Sequence, residues 1–512
     1  MKKARRLGEA ALDTWRSIST SRVSKQALAA RTAAAEEPKG KGLLSWFQRK
    51  KKKGLLSDLP TLYEPLPGVK LPLDLDDGFA LPVETKITKL ANGLTVASEN
   101  TMGPTATIGV YVDSGSSHET PFNSGVSHIL ERMAFKSTRN RTHLRLVREA
   151  EAIGGNVLAS ASREQMSYTG DVIRSFVPEI VELLADSIRN PAFHDWEIKE
   201  QVDILREEIQ EMAKDPQAML LEALHPAGYK GPLGKALVTS ESSLDRIDSR
   251  ALHEFVAANY TASRMVFAGS GVEHDYFLSL VKPLFEDMPL VAPPEPVKSE
   301  YVGGEWRLQG ESDTTSVSIA FEIPGGWRNE RDAVMATVLQ SLLGGGGSFS
   351  SGGPGKGVHS RLYTRVLAVH PKVENFTAFT SVYNDTGLFG IHASSEHKFV
   401  GELVDLIGDE LISVAEPGEV DEIELERAKN ATVSLVLMNL ESRVVVNEDI
   451  GRQILTYGCR KPAKEFIDTV RELTLDDIRK VAEKIISTPV TMACYGDVKR
   501  VPLLDKVSSQ FQ

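Results

Sequence analysis

Apolar and polar positions change their spacing several times along this chain, and each change marks an element. Lys86–Leu90 and Leu94–Ser98 flank Asn92-Gly93, a pattern that predicts a β-hairpin. Thr107–Val112 is a short apolar run and predicts a third strand, and Val157–Val172 one or two more. Ser124–Phe135 has helical spacing. So does Glu179–Met212, with a break at Asn190-Pro191, where a proline removes a backbone donor. Farther on, Ala333–Leu343 and Ser360–Val369 also predict helices.

The order of signals then recurs. Ser243–Ile247, a helix and the apolar strand Arg264–Val272 return as Thr474–Ile478, a helix and Val490–Val498, and Tyr229-Lys230-Gly231 is echoed by Thr456-Tyr457-Gly458. The offset, roughly 225–231 residues, is the size of a domain and not of a solenoid repeat. Pro289–Pro296 is a natural linker. The expected fold class is therefore α+β: two duplicated domains, residues 81–288 and 301–512, joined through 289–300. Each would be a mostly antiparallel sheet with helices packed on one face.

With 512 residues, 41% apolar and 25% charged, the chain is long enough for two ordinary cores. No apolar run approaches the ~18–20 residues of a membrane-spanning helix. Cys459 and Cys494 have no Cys or His neighbours at metal spacing and are expected to be buried, inert thiols. Charge is unevenly spread. Residues 1–53 hold 15 Lys/Arg and 4 Asp/Glu, so the remainder holds 44 and 66, a balance of −22. Residues 1–35 place Arg5, Arg6, Arg16, Arg22 and Arg31 among Ala, Ser and Thr, with Leu7, Ala11, Trp15 and Ile18 at helical spacing. That is the pattern of a mitochondrial transit peptide; a basic tail for an acidic surface or nucleic acid is the other reading. Residues 36–80 form a Pro- and Lys-rich arm.

Two stretches carry candidate chemistry. His128-Ile129-Leu130-Glu131-Arg132 is an inverted zinc motif, H-x-x-E-H, with its second imidazole replaced. Arg132 stays protonated, has no lone pair to donate and repels a dication. Catalytic zinc takes three protein ligands plus water, and this helix offers at most His128. The second stretch is Gly344-Gly345-Gly346-Gly347-Ser348-Phe349, continuing through Gly352, Gly353, Gly355, Lys356 and Gly357. Lys356 is followed by Gly357, so this is not a phosphate-binding loop. A flexible linker or a lid over a cleft both fit its composition.

On these motifs, with Leu130–Thr138 and Met438–Arg443, the chain from about residue 80 to its end resembles the pitrilysin-type (M16) metallopeptidases. Within them it is most similar to the non-catalytic, α-type chains of the heterodimeric mitochondrial processing peptidases, plant ones above all. The resemblance implies that Glu207 stands at the third zinc-ligand position, Glu200 at a supporting carboxylate, and Glu131 at the general base. His128, Glu131, Arg132, Glu200 and Glu207 would then be a degenerate metal site, with Arg132 in a salt bridge to one of the two helix carboxylates. This chain would hold no metal, cofactor or catalytic residue of its own, and zinc would reside in a β-type partner. The glycine-rich stretch would bind basic presequence peptides. The implied location is the matrix side of the inner mitochondrial membrane, peripheral to it. There the chain would also contact other subunits of the cytochrome bc1 complex; nucleic acid is not implied. A purely structural role in that complex is the alternative.

Overall fold

The computed structural model describes residues 84–348 and 357–511. The expected transit peptide and arm, and Phe349, Gly352, Gly353, Gly355 and Lys356, lie outside the described residues. The first half contributes strands β1 (Lys86–Lys89), β2 (Thr95–Glu99), β3 (Thr105–Val112), β4 (Asn156–Ala161), β5 (Met166–Ile173), β6 (Tyr229–Lys230) and β7 (Met265–Ser270). The second contributes β8 (Glu300–Tyr301), β9 (Gly304–Gln309), β10 (Thr314–Glu322), β11 (Gly345–Gly347), β12 (Val373–Val382), β13 (Gly387–Glu396) and β14 (Thr491–Gly496).

The predicted hairpin forms with Lys86 opposite Ser98 and turns at Gly93, whose φ of 93° suits glycine. Among the described residues there are two six-stranded sheets, β1-β2-β7-β3-β5-β4 and β11-β12-β13-β10-β14-β9, and a two-stranded one, β6-β8. The large sheets share one plan. The run β2-β7-β3-β5-β4 matches β9-β14-β10-β13-β12, and in each the first pair is parallel and the rest antiparallel. That identity of order and direction is the duplication seen as structure. What differs is the two edges: β4 ends its sheet whereas β12 is covered by β11, and β2 is covered by β1 whereas β9 ends its sheet.

The strand alternation explains where the helices go. In β3, Ala106, Ile108, Val110 and Val112 face one side and pack under helices α1 (Val126–Met133), α2 (Val177–Arg189) and α3 (Asp195–Met212). Each sheet carries its own helices on one face, as expected, and its other face takes a helix from the opposite half. Helix α4 (Pro216–Gly228) leaves the first half and lays Leu220, Ala223 and Leu224 on Ala320, Leu388 and Ala493 of the second sheet. Helix α5 (Glu330–Leu343) and helix α6 (Glu422–Asn439) stay with the second half. Helix α7 (Arg443–Tyr457) crosses back, setting Val446, Ile450 and Ile454 on Ala97, Tyr111, Val266 and Ala268 of the first sheet. The exchange is reciprocal because both faces of each central strand are apolar, and a bare second face would remain in water. Residues 291–298 of the linker are exposed.

The returning helix is fastened by one buried polar contact. Tyr111, 1% exposed, donates its hydroxyl to Asn447 Oδ1 at 2.7 Å, and Asn447 Nδ2 donates to Thr107 O at 3.0 Å. Gly451 makes room for the Tyr111 ring, since a Cβ there would overlap it. Tyr111→Phe keeps the ring but leaves Asn447 Oδ1 buried without a donor. We expect a loss of about 1–3 kcal/mol in denaturant unfolding; an unchanged midpoint would show that the contact is not stabilising.

One of the two cysteines departs from the expected burial. Cys494 is buried in β14 and burial raises its thiol to about 11, but Cys459 is exposed just past α7. Gly458, in the left-handed region (φ 75°), ends that helix and turns Cys459 outward.

Candidate degenerate metal site

Helix α1 holds His128 and Arg132 four residues apart, on one face. Its N-terminus is fixed by Glu119, whose carboxylate accepts from Gly125 N at 2.7 Å and Ser127 N at 2.9 Å. A carboxylate on those free amides satisfies them and complements the helix dipole. Burial pushes the Glu119 carboxyl up, and the two amide bonds oppose the shift. Beyond the helix, Phe135 takes a left-handed φ of 60°. Its carbonyl is bonded to His143 Nδ1 at 3.0 Å, and its ring packs edge-on to Tyr168. Ser137 Oγ donates to Glu197 at 2.7 Å, tying the exit of α1 to helix α3. Both ends of α1 are pinned.

Each motif residue has a partner that is not a metal. His128 Nδ1 accepts a long bond from Thr239 N, 3.4 Å. Burial, then the Arg132 guanidinium, lower the imidazole to about 4, so it is neutral at physiological pH. Glu131 Oε2 accepts from Ala161 N at 2.8 Å, closing the end of β4. Arg132 Nη2 meets Glu208 Oε2 at 2.6 Å.

That last pair corrects the expected register. Arg132 is paired with Glu208, not with Glu207 or Glu200, which are both exposed. The inner face of α3 carries Ile198, Gln201, Val202 and Leu205. At 100° per residue Glu208 flanks this stripe, while Glu207 and Glu200 point to the opposite side. The inward stripe is an apolar period of the sequence; the position implied by the resemblance, Glu207, lies one residue from the carboxylate that meets Arg132. Both partners are more than a third exposed (37% and 39%), so the pair is worth only ~0–1 kcal/mol. It occupies the site without holding up the fold.

The donor set does not fit zinc. One imidazole and one carboxylate remain, with a guanidinium between them, and among the described residues no three His, Cys, Asp or Glu side chains form a metal-holding group. Behind the site lie contacts that the sequence did not suggest. Arg163, 6% exposed, donates to Glu222 Oε2 at 2.6 Å, and Glu222 Oε1 accepts from Leu237 N at 2.6 Å.

The glycine-rich stretch begins as structure. Gly345–Gly347 form edge strand β11 against Asn375–Thr377 of β12. Ser348 N donates to Glu374 O at 2.7 Å, and Ala378 N to Gly344 O at 2.9 Å. Gly344, Gly345 and Gly346 have φ of 62°, 105° and 154°, which side-chain-bearing residues rarely adopt. A Cβ on Gly345 would fall against the Phe376 carbonyl. These glycines set a conformation that other residues cannot take. Gly357 N-terminal to the next helical turn is again at positive φ, 71°.

Two domains of one peptidase family match the chain: insulinase (peptidase family M16) over residues 95–241 and the peptidase M16 inactive domain over residues 246–432. The second match starts ahead of β7, the strand that completes the first sheet. The chain is 54% identical to the mitochondrial-processing peptidase subunit alpha of Solanum tuberosum, with 94% of each chain covered. It is 52% identical to the probable mitochondrial-processing peptidase subunit alpha-1 of Arabidopsis thaliana, with 97% of each covered. Against the Homo sapiens mitochondrial-processing peptidase subunit alpha it is 34% identical, covering 90% of this chain and 91% of that one.

Proposed function

The chain belongs to the peptidase M16 family, and from that premise we propose that it is the non-catalytic, substrate-recognition chain of a mitochondrial processing peptidase. It binds N-terminal presequences and presents them to a zinc-bearing β-type partner. The observation that carries this is Arg132: it occupies the second ligand position and holds Glu208, while Glu131 is spent on Ala161. A general base with no metal-bound water beside it has nothing to activate. The names of the relatives support the mitochondrial setting and the subunit role.

Charge supports the proposed substrate class. Presequences are basic and amphipathic, and the body beyond residue 53 has a balance of −22, a long-range field that attracts them. The glycine segment, fixed at its start by β12, is the proposed contact with the peptide. Zinc is proposed in the partner only. The setting proposed is the matrix side of the inner membrane, where the chain would also sit among the subunits of the bc1 complex. Among the described residues no helix is long and apolar enough to cross a membrane.

Binding of a labelled basic amphipathic peptide to the full chain tests recognition. The affinity is expected to fall about tenfold or more on replacing its arginines by citrulline, and to weaken with added salt. Equal affinity for the charged and uncharged peptides would contradict the reading.

A further inference from the structure

A cavity of about 520 Å³ opens between the two halves, within the usual range for a ligand site. The tip of the β4–β5 turn, the β12–β13 turn and helices α5, α6 and α7 form it. Its walls are aromatic and anchored. Trp327 Nε1 donates to Val382 O at 3.1 Å, the Tyr383 hydroxyl is bonded to His225 Nε2 at 2.6 Å, and the Tyr457 hydroxyl donates to Trp327 O at 2.9 Å. Val436, Leu440 and Val445 supply apolar lining.

Four carboxylates also line the cavity, and three are ion-paired. Glu330 pairs with Lys461, Glu448 with Arg452 at 3.3 Å, and Asp449 with Arg460 at 3.1 Å. Glu164 has no ion-pair partner among the described residues. It only accepts the Asn384 N–H, at 3.0 Å to Oε2. Burial is the main cause that raises its carboxyl to about 7; Asp113 and Asp385 add to the shift, and the Asn384 amide and Arg452 oppose it. A half-buried carboxylate without a counter-charge is costly unless something brings one. The same walls already seat a cation on an aromatic face, since Lys461 Nζ lies 4.5 Å from the Tyr457 ring centre.

We propose that this cavity is a subsite for an arginine side chain of a bound basic amphipathic peptide, with Glu164 as its counter-charge and the aromatic walls stacking its guanidinium. A planar guanidinium suits both partners better than an ammonium does. Val436, Leu440 and Val445 would meet the apolar part of that arginine side chain and its neighbours. This assignment rests on the presequence-binding reading above and gives that reading a place in the fold.

The test compares the full chain with Glu164→Gln, which keeps an oxygen for the Asn384 N–H. Each is titrated with a labelled basic amphipathic peptide and with the same peptide carrying citrulline in place of arginine. The native chain should prefer the arginine peptide, and the variant should lose about tenfold of that preference while binding the citrulline peptide unchanged. Native affinity for the arginine peptide should also fall as pH drops below about 7, where Glu164 takes up a proton and its charge is lost; the variant should not show this step. Matching thermal melts exclude misfolding as the cause. If the variant keeps the full arginine preference, Glu164 is a neutral latch between the two turns, and the subsite is overturned while recognition stands. If the arginine peptide does not bind the native chain at all, the recognition reading fails with it.

Discussion

Arg132→His is expected to convert a donor set that does not fit zinc into one that binds about one zinc ion per molecule. The new imidazole would stand four residues from His128 on α1, with Glu208 across from it on α3. Three ligands of the right kinds would then face one point. His128 is already neutral, held near 4 by burial and by the guanidinium that the substitution removes, so it needs no deprotonation to bind a metal; its one lone pair has only to leave the long 3.4 Å contact with Thr239 N. The lost ion pair is half-exposed and worth ~0–1 kcal/mol, so the variant should fold as the native chain does. Metal analysis after dialysis reads the result. Stoichiometric zinc in the native chain, or none in the variant, would show that Arg132 is not what closes the site. Hydrolysis is a further demand, because Glu131 is held by Ala161 N and would have to let go before acting as a base.

The second large effect is expected at the glycine segment. Replacing Gly345 and Gly346 by valine forces side-chain-bearing residues into φ of 105° and 154°, and sets a Cβ against the Phe376 carbonyl. Strain of about 1–2 kcal/mol or more at each position should peel β11 from β12. β11 is an edge strand of three glycines, so the core of the second half has little to lose. We expect presequence processing by the complex to fall to about a tenth or less, with melting and assembly nearly unchanged. Loss of processing with intact assembly into the respiratory complex favours recognition. Loss of neither would favour the purely structural role.

Much of this fold was legible in the sequence because it rests on local periods. The hairpin at Asn92-Gly93, the helix carrying His128 and the break at Asn190-Pro191 appear where spacing placed them, and the duplication appears as the shared strand order of the two sheets. The exchange of α4 and α7 did not show, because the residues that decide it, such as Leu220 and Ile450, look like any amphipathic helix until a second sheet face is present to receive them. At the candidate degenerate site Arg132 was legible as a residue that cannot ligate zinc, but its partner required knowing which face of α3 turns inward. Glu208 borders the stripe of Ile198, Val202 and Leu205, and Glu207 lies a helical half-turn away. The glycine stretch was read by composition as mobile chain. Its first residues are instead a strand that only glycine can make, a fact set by φ and not by composition. Glu164 carried no sequence signal at all; its isolation is a property of three neighbouring ion pairs contributed from distant positions.

The central claim is that recognition resides in this chain and chemistry in its partner. Cleavage of a presequence-bearing precursor by the purified chain, by a purified zinc-bearing β-type chain, and by the two mixed tests it most directly. The account predicts no cleavage by this chain alone and at least about a hundredfold gain over the partner alone on mixing, with all of the zinc in the partner. Cleavage by this chain alone, or a mixture no faster than the partner by itself, would contradict it.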